Sequence, residues 1–562
     1  MKKTVSGFLS LLLTLCLLCG CFCAGASAEP EEVTLSLVSY RELQKTPVAW
    51  YETDVYKWIF DQIADKYGYR INLEYDCYDN DKLNLMYASG ELPDIVYFYT
   101  AAQVQTVMDN GYALNLAPLL EEYAPHMLDE KFAQRNELMQ SLAGGEDNGL
   151  YFIPTTYGLE LRGGGQNSIR GYAVNWEWFK EIGAPDIPND AAYIDALAQM
   201  VEKHPQTADG KPVYAFGYTD DFSTWTSWRA FPTKKSLMNP WTFSGYLYDE
   251  GLDDNVLYNG YTDTKRSTFW QEMRFANALY NKGLLDPDSF TQTNAELDAK
   301  IEAGQYAGTT FDSAANGYVV APATGAMLFG NKIHLAGYYP DQQVFVSSSS
   351  ENWKAALAWI DYMHTEEAER ALYSGIEGVH WNYVDGVPTL TDETIAMYQE
   401  NGDALKKSGV GGTTPIRISQ PGMSHSDGYP LSLFETDEMR AASMTPIMKD
   451  YSDYYGVSYP SQARQKLVDE GKIIDHSHNF SQLVAVAREP IPTDILRILT
   501  KCNDVVYTAV PKLVMAANQE EFDAIQEQVL ADLEKAGEPE AWAWASEAQA
   551  KAHSLVDPII GK

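Results

Sequence analysis

The hydrophobic period changes repeatedly between residues 31 and 111, and this alternation restricts the fold more than any other feature of the sequence. EEVTLSLVSY (31–40) is apolar and β-rich, which predicts a first strand. Apolar residues then recur every four positions from Val55 to Tyr67, and Gly68 ends the run, which predicts a capped helix. The pattern continues with a strand over 69–77, a helix over 81–90, a strand over 92–99 and a helix over 101–111. Such strict alternation predicts an α/β sheet covered by helices.

The same alternation resumes less clearly after Gly149. GLYFIPTTYG (149–158) is typical of a strand that runs into a turn, and YAVNWEWFKEIGAP (172–185) of a strand that enters a short helix. Residues 191–205 form an amphipathic pattern. Long helices are predicted in the last third of the chain, over 351–375 and from about Asn518, where Asn-Gln-Glu-Glu can serve as a capping box.

Length and charge limit the class of protein. A chain of 562 residues is too long for one hydrophobic core, so two or more packed units are expected. The formal net charge is −37. Such an excess of acid repels phosphate backbones and anionic lipid, which excludes nucleic acid as a partner.

The first 28 residues are predicted to be a secretory signal peptide. Lys2 and Lys3 precede an apolar run from Phe8 to Leu18 that is too short to span a bilayer and ends in small residues. Two cleavage sites compete. Cleavage after Ala28, at Ala-Ser-Ala, would release a secreted protein, whereas Leu-Cys-Gly-Cys resembles a bacterial lipobox that would leave a lipid on Cys21. We favour the lipobox, which predicts a chain tethered to the extracellular face of the cell membrane.

The sequence lacks the common catalytic and metal-binding motifs. The sequence has no G-x-S-x-G elbow, no H-E-x-x-H, no Walker loop and no G-x-G-x-x-G that opens a helix. Asp-His-Ser-His at 475–478 lacks a third ligand nearby, and the acidic pairs at 220–221 and 253–254 are expected by chance among 78 acids. Glu377 and His380 lack the converging polar groups that an acid/base pair requires. We therefore predict no catalytic residue, no cofactor and no metal.

Two cysteines remain beyond the leader, Cys77 and Cys502. One bridge in so long a chain is not a disulfide framework, and a buried free thiol at each site is an equal alternative.

Five segments together resemble one protein family. NDKLNLMYASGELPDIVYF (80–98) resembles the family-1 extracellular solute-binding proteins of ABC importers, closest to the LplA-like lipoprotein branch of Gram-positive bacteria. Four further segments keep the family's order: GLYFIPTTYG, YAVNWEWFKEIG, GLLDPDSFTQT and GIEGVHWNYVDGVPTLTDE. The likeness runs from about residue 33 to the C-terminus. The chain departs from the pattern at Asn175, where arginine is usual, at Glu177, where aspartate is usual, and in the short loop 204–212.

The resemblance implies a two-lobed α/β fold like that of periplasmic binding proteins, with a hinge of crossing strands and a helical C-terminal region. It implies a first segment of lobe 1 over 29–157, a first segment of lobe 2 over 158–299, a return to lobe 1 through the hinge over 300–345, and mainly lobe 2 over 346–562. The implied function is capture of a carbohydrate, often an oligosaccharide, in the cleft and its delivery to the permease subunits in the membrane. A non-enzymatic monomer is expected.

Aromatic residues next to polar groups in predicted loops are the candidate ligand contacts, because sugar rings stack on Trp or Tyr while polar side chains bind their edges. Such loops at the carboxyl ends of strands are where open α/β sheets bind ligands. The candidates are Trp50, Tyr51, Tyr97, Tyr99, Tyr157, Asn175, Trp225, Trp228 and Trp381. Arg162, Arg170 and Arg229 could add positive charge for an acidic ligand. Three alternatives stay open: a receptor for peptides or other polar nutrients, a secreted glycan-active enzyme, and an adhesin.

Overall fold

The computed structural model describes residues 29–40, 48–98, 102–155, 170–221, 236–237, 248–251, 257–311, 316–325, 343–412, 414–419, 423–473, 487, 489 and 491–560. Its strands are β1 (Glu31–Ser39), β2 (Tyr69–Cys77), β3 (Ile95–Phe98), β4 (Ile153–Pro154), β5 (Arg170–Asn175), β6 (Ser236–Leu237), β7 (Tyr248–Gly251), β8 (Leu257–Asn259), β9 (Gly308–Phe311), β10 (Tyr318–Val320), β11 (Gln343–Val346), β12 (Trp381–Val384) and β13 (Val387–Leu390).

Its helices up to residue 374 are α1 (Asp54–Tyr67), α2 (Asn80–Ser89), α3 (Ala102–Asp109), α4 (Leu120–Tyr123), α5 (Glu130–Ala143), α6 (Trp176–Glu181), α7 (Asp190–Lys203), α8 (Thr268–Asn281), α9 (Asn294–Glu302), α10 (Trp353–Tyr362) and α11 (Glu366–Ser374). The later helices are α12 (Asp392–Glu400), α13 (Gly402–Ser408), α14 (Asp437–Ala442), α15 (Pro446–Tyr455), α16 (Ser461–Asp469), α17 (Thr493–Met515), α18 (Gln519–Ala536) and α19 (Glu538–Ile560).

The first sheet has the order β2-β1-β3-β11-β4. Strands β1, β2 and β3 are parallel, whereas β11 runs antiparallel to β3 and β4. The predicted alternation of strands and helices in the first hundred residues is confirmed, and β2 has the predicted bounds. Helix α1 begins where the Thr53 hydroxyl accepts the Tyr56 N–H, and it ends at Gly68, which has a left-handed φ of 76°.

The second sheet has the order β10-β5-β9 and is antiparallel throughout. A further three-stranded sheet has the order β6-β7-β8, and β12 and β13 form a separate hairpin. The hairpin turns at Asp385 and Gly386, both of which have positive φ, as a tight two-residue turn requires.

The buried apolar side chains divide into two large clusters. The first core draws its residues from 33–153, 344–372 and 410–418. The second core draws its residues from 172–323 and 451–545. The chain therefore crosses from the first core to the second, returns, and crosses again, as the two-lobed fold class predicts.

The predicted lobe boundaries differ from this division in two places. The prediction places residues 300–345 in lobe 1, but Ala307 and Val319 belong to the second core because β9 and β10 pair with β5. It places residues 346–562 mainly in lobe 2, but 344–418 return to the first core because β11 inserts between β3 and β4. Strand β11 pairs with two strands that are remote from it in sequence, so local patterns do not reveal this pairing.

The predicted rear helices are present with one break. The stretch 351–375 forms α10 and α11, because Thr365 caps a new helix by accepting the Ala368 N–H. Asn518 caps α18 by accepting the Glu521 N–H. The Glu521 carboxylate accepts the N–H of Ala517 rather than that of Asn518, so the predicted capping box is shifted by one residue.

Cys77 is partly buried and Cys502 is buried, and both thiols are free. In the part of the chain that the structure describes, none of the helices combines the length and the apolar character that a membrane span requires.

Candidate functional site

One edge of the first sheet collects the ends of its parallel strands. Strand β1 ends at Ser39, β2 at Cys77 and β3 at Phe98, and the start of β11 at Gln343 is paired with Phe98. Strand β4 ends beside Gln343 and is followed by Thr155. We call the edge formed by these five residues the strand-end edge.

Two of the three connections between the cores join the sheet at this edge. Residues 156–169 follow Thr155 and lead to β5, and residues 326–342 lead from the second core back to Gln343. An open α/β sheet binds ligands outside the carboxyl ends of its strands. The strand-end edge is therefore the candidate ligand site.

Tyrosine side chains line the strand-end edge. The rings of Tyr40 and Tyr78 meet edge to face with centroids 6.1 Å apart. Burial raises the pKa of Tyr78, whose hydroxyl lies near the side chain of Gln103. Neither the Tyr78 hydroxyl nor the Gln103 carbonyl oxygen makes a hydrogen bond of standard geometry within the described residues. Tyr78 is only 3% exposed, so its side chain packs inside the first core at this edge.

The predicted contacts Trp50 and Tyr51 differ in how deeply they are buried. The Trp50 side chain is only 3% exposed, and its ring packs 4.6 Å from Tyr56 and 6.4 Å from Trp359. The prediction that Trp50 offers a stacking face is therefore corrected, because neighbouring rings cover it. Tyr51 lies partly buried at the border of this aromatic cluster, 5.8 Å from Tyr75, and stays a candidate contact.

Tyr97 also lies inside the sheet. It pairs with Ser39 of β1 and Val344 of β11, and it is 3% exposed. Because all four residues of β3 are buried, both faces of this strand are covered. The prediction that Tyr97 is a platform for sugar is corrected accordingly.

Asn175 has a local structural role. Its side-chain oxygen accepts the Trp178 N–H at 3.3 Å and so caps α6. Asparagine is among the preferred residues at such a cap. This contact explains why asparagine suits the position, and a ligand contact by Asn175 stays a prediction.

Trp381 is held by its own hairpin. Its indole N–H donates to the Gly375 carbonyl at 2.8 Å, and the Arg370 guanidinium lies 5.3 Å from the ring centroid. The side chain is 5% exposed and packs with Leu390 and Leu433. The predicted presentation of Trp381 to a ligand is corrected, because both its ring and its polar atom are occupied within the fold.

The other residues of the motif around Trp381 also have structural roles. The Nδ1 atom of His380 accepts the Ile376 N–H at 3.0 Å, and burial lowers the pKa of His380. Glu377 is exposed. Gly375 has φ 86°, and a Cβ there would lie 2.5 Å from the Cβ of His380, so a side chain cannot be accommodated. The sequence GIEGVHW thus encodes a turn and not an acid/base pair.

Arg370 and Asp427 fix this hairpin to the first core. Both terminal nitrogens of Arg370 bond the two carboxylate oxygens of Asp427, and Nη2 also donates to the carbonyl of Pro430 at 3.2 Å. Burial raises the pKa of Asp427, but the hydrogen bonds from Arg370, the Tyr429 N–H and the Tyr383 hydroxyl outweigh it and lower that pKa to about 2.

Arg417 is a candidate contact that the sequence analysis missed. It is partly buried between Ile416 and Ile418 of the first core. Among the described residues no carboxylate pairs with it, and its Nε atom is buried without a hydrogen-bond partner. The only signal in the sequence is one cation between two isoleucines.

The segment that carries Arg417 lies against the beginning of α1. In the sequence, α1 comes after the end of β1 at the strand-end edge. A Cβ on Gly409 would collide with the Thr53 hydroxyl, and the Thr414 side chain lies near the Tyr56 hydroxyl. Arg417 therefore lies in a stretch of chain that borders the candidate site, in a protein where cations are scarce.

Several predicted residues lie outside the described residues: Cys21, Tyr99, Tyr157, Arg162, Trp225, Trp228 and Arg229. The Asp-His-Ser-His stretch at 475–478 lies outside them as well. Elsewhere, across the described ranges, no three potential ligands from His, Cys, Asp and Glu come together as a metal site needs.

Comparison with known proteins gives the class of fold. No family model matches the chain. The chain is 24% identical over 356 residues to lipoprotein LipO of Bacillus subtilis strain 168, a match over 58% of this chain and 64% of LipO. The match thus spans less than two thirds of the length of that relative.

Solved structures match over nearly the whole chain. A solute-binding protein from Bifidobacterium longum infantis, described as an HMO-binding protein associated with an ABC transporter, aligns with a TM-score of 0.60 at 15% identity over 93% of this chain and 99% of its own. FusA of Streptococcus pneumoniae, an ABC-transporter substrate-binding protein in complex with kestose, aligns with a TM-score of 0.54 at 17% identity over 94% and 100%.

The chain has the fold of the two-lobed solute-binding proteins of ABC importers. The α/β class predicted from the sequence is confirmed by these neighbours, and their descriptions as substrate-binding proteins of ABC transporters agree with the predicted resemblance.

Proposed function

We propose that this protein is the extracellular substrate-binding component of an ABC importer, which captures a carbohydrate at the strand-end edge and delivers it to a membrane permease. The observation that carries the proposal is the meeting of strand ends, tyrosine side chains and two inter-core connections at one edge of the first sheet. Neighbours of the same fold are described as HMO-binding and as bound to kestose, which supports an oligosaccharide as the ligand.

Tyr51 and Arg417 are the described residues that we assign to ligand contact. Tyr51 is partly buried at the border of the aromatic cluster, and Arg417 has a guanidinium without a carboxylate partner in the described ranges. A ring and a cation together suit a sugar, which offers apolar C–H faces and polar edges. The predicted contacts Tyr99, Tyr157, Asn175, Trp225 and Trp228 belong to the same proposal.

A thermal-shift screen of the chain from Glu29 tests the function. A ligand that binds only the folded state raises the melting temperature by mass action. We expect a rise with one family of neutral or uronic-acid oligosaccharides, with the glycan recovered uncut. A rise with peptides alone would overturn the carbohydrate assignment, and hydrolysed glycan would favour the enzyme alternative.

The membrane tether is part of the proposal. Cleavage before Cys21 would leave a lipid-bearing cysteine, and the likeness to a lipoprotein supports this site over cleavage after Ala28. Cys21→Ala should release the protein from the cell surface into the medium, whereas Cys23→Ala, the matched control, should leave it with the cells. Equal retention of both variants would contradict a lipid on Cys21. Monomeric behaviour in size-exclusion chromatography is expected.

A further inference from the structure

The β12–β13 hairpin protrudes from the first core. Within the described part of the chain, its two strands pair with each other and with no other strand. Residues 382–387 are all exposed, whereas Trp381 and Leu390 at the base of the hairpin are buried. We call residues 383–387, with the sequence Tyr-Val-Asp-Gly-Val, the hairpin tip.

The hairpin tip exposes apolar side chains on both of its faces. Val384 and Val387 pair directly across the two strands and therefore share one face, and Tyr383 lies on the other face. These three side chains and that of Val379 are between 41% and 60% exposed. They are four of the twelve large apolar side chains that are exposed in the described residues, and they lie within nine positions. Exposed apolar residues that cluster in this way mark a surface that contacts another molecule.

The base of the hairpin holds the tip in place. The Tyr383 hydroxyl donates to Asp427 at 2.9 Å, and Asp427 is itself bound by Arg370. Trp381 and Leu390 pack together at the base. A rigid element loses little conformational entropy when it binds, which favours insertion of the tip into a preformed groove.

The charges along the hairpin restrict the kind of partner. Residues 375–400 contain five carboxylates and neither lysine nor arginine. All five are exposed, and none forms an ion pair with a described cation: Glu377, Asp385, Asp392, Glu393 and Glu400. A second copy of the chain would bring the same acids together, and anionic lipid would be repelled as well. The complementary partner is a protein surface with an apolar groove and with lysine or arginine at its rim.

The hairpin lies on the side of the first core where the ligand is proposed to bind. Burial lowers the pKa of His380, and the nearby Asp54 carboxylate partly offsets this effect. His380 therefore lies close to the first residue of α1, at the same end of this helix that contacts the segment with Arg417. A protein that docks on the hairpin tip would thus stand beside the strand-end edge, where it could receive a released ligand.

We propose that the hairpin tip is a docking element for the permease. Tyr383, Val384 and Val387 would insert into an apolar groove on the extracellular surface of a permease subunit. Lysine or arginine around that groove would pair with the acids of residues 375–400. This inference rests on the proposed function, because it names the surface through which the binding protein meets its permease.

Uptake of the glycan found in the thermal-shift screen tests the docking, in cells of the source bacterium whose own copy of the chain is replaced by variants. Val384→Thr with Val387→Thr keeps the side-chain shape and the strand preference, so the melting temperature and the glycan affinity should not change. Uptake should fall about tenfold, because two hydroxyls would replace methyl groups in an apolar groove. Leu496→Thr, the control at an exposed leucine of α17, should leave uptake unchanged.

Photo-crosslinking in the same cells identifies the partner directly. With p-benzoylphenylalanine in place of Val384, we expect a crosslink to a permease subunit, identified by mass spectrometry. The same group in place of Leu496 should give no such crosslink. A crosslink from the tip to a second copy of the chain, or none to a permease subunit, would overturn the docking surface.

The proposed function and the docking surface fail in different ways. If the native chain binds no glycan in calorimetry, the carbohydrate function is wrong, and the crosslink from the tip still decides whether the tip meets a permease. If the native chain binds the glycan and the double threonine variant supports the same uptake, the docking surface is wrong and the function stands.

Discussion

Two arginines of the first core, Arg370 and Arg417, show how a structural cation differs from one that is available to a ligand. Arg370 is 1% exposed and is neutralised by Asp427, so its charge holds the β12–β13 hairpin in place. Arg417 is partly buried as well, but none of the described carboxylates neutralises it. Burying a guanidinium without a partner is costly, and a protein tolerates that cost where a ligand supplies the partner.

The largest predicted difference between the two arginines is in their contribution to the free energy of unfolding. Arg370→Met should destabilise the first core by about 3–5 kcal/mol, because it leaves the Asp427 carboxylate without its cation in a mostly buried position. Urea-induced unfolding followed by tryptophan fluorescence measures the loss. The matched variant Arg417→Met removes an unpaired, partly buried charge, so it should leave the free energy of unfolding unchanged or raise it. Equal losses for both variants would show that Arg417 also has a structural role.

The Arg370–Asp427 pair also predicts a dependence of stability on pH. The pKa of Asp427 is about 2 in the folded chain, below its ordinary value of 3.8. The stabilisation is therefore fully present above about pH 4 and is lost as the pH falls toward 2, with a total of about 2 kcal/mol. Unfolding free energies measured from pH 5 to pH 2 should show this loss in the native chain and a shallower slope in Asp427→Asn. The same slope in both proteins would contradict the assignment.

For Arg417 the comparison predicts a loss of affinity instead. Arg417→Ala should weaken binding of the glycan found in the thermal-shift screen by about 1.5–3 kcal/mol, the range for hydrogen bonds to charged groups. Isothermal titration calorimetry measures the change. Arg497→Ala removes an exposed arginine of α17 and should leave the affinity unchanged. If Arg417→Ala binds the glycan as tightly as Arg497→Ala does, Arg417 is not a ligand contact.

The sequence predicted the local elements well and the long-range pairing poorly. Helix α1 and strand β2 follow from the spacing of apolar residues and from Gly68, because these are properties of neighbouring residues. Strand β11 has four buried residues and thus no alternation, and its partners β3 and β4 are remote in sequence. Its return to the first core could not be predicted from local patterns for that reason.

The prediction of ligand contacts was wrong at two residues for a related reason. Trp50 and Trp381 stand next to polar residues in the sequence, as ligand-stacking residues do, yet the fold covers both rings. Adjacency in sequence does not show which neighbours will cover a side chain. Arg417 was not predicted because the sequence shows only a lone cation between two isoleucines. The fold is needed to show that no described carboxylate pairs with it.

Tyr51 gives the smallest and most direct test of the aromatic part of the site. Tyr51→Ala should weaken glycan binding by about 0.5–1.5 kcal/mol, which is the gain that an aromatic contact adds beyond buried area. Tyr51→Phe should retain most of the affinity, because a stacked ring does not need the hydroxyl. Tyr280→Ala, at an exposed tyrosine of α8, is the control and should bind as the native chain does. Calorimetry with the same glycan measures these affinities. If Tyr51→Ala loses no more affinity than Tyr280→Ala, Tyr51 belongs with Trp50 to the packing of the first core. Recognition by the described residues would then depend on Arg417.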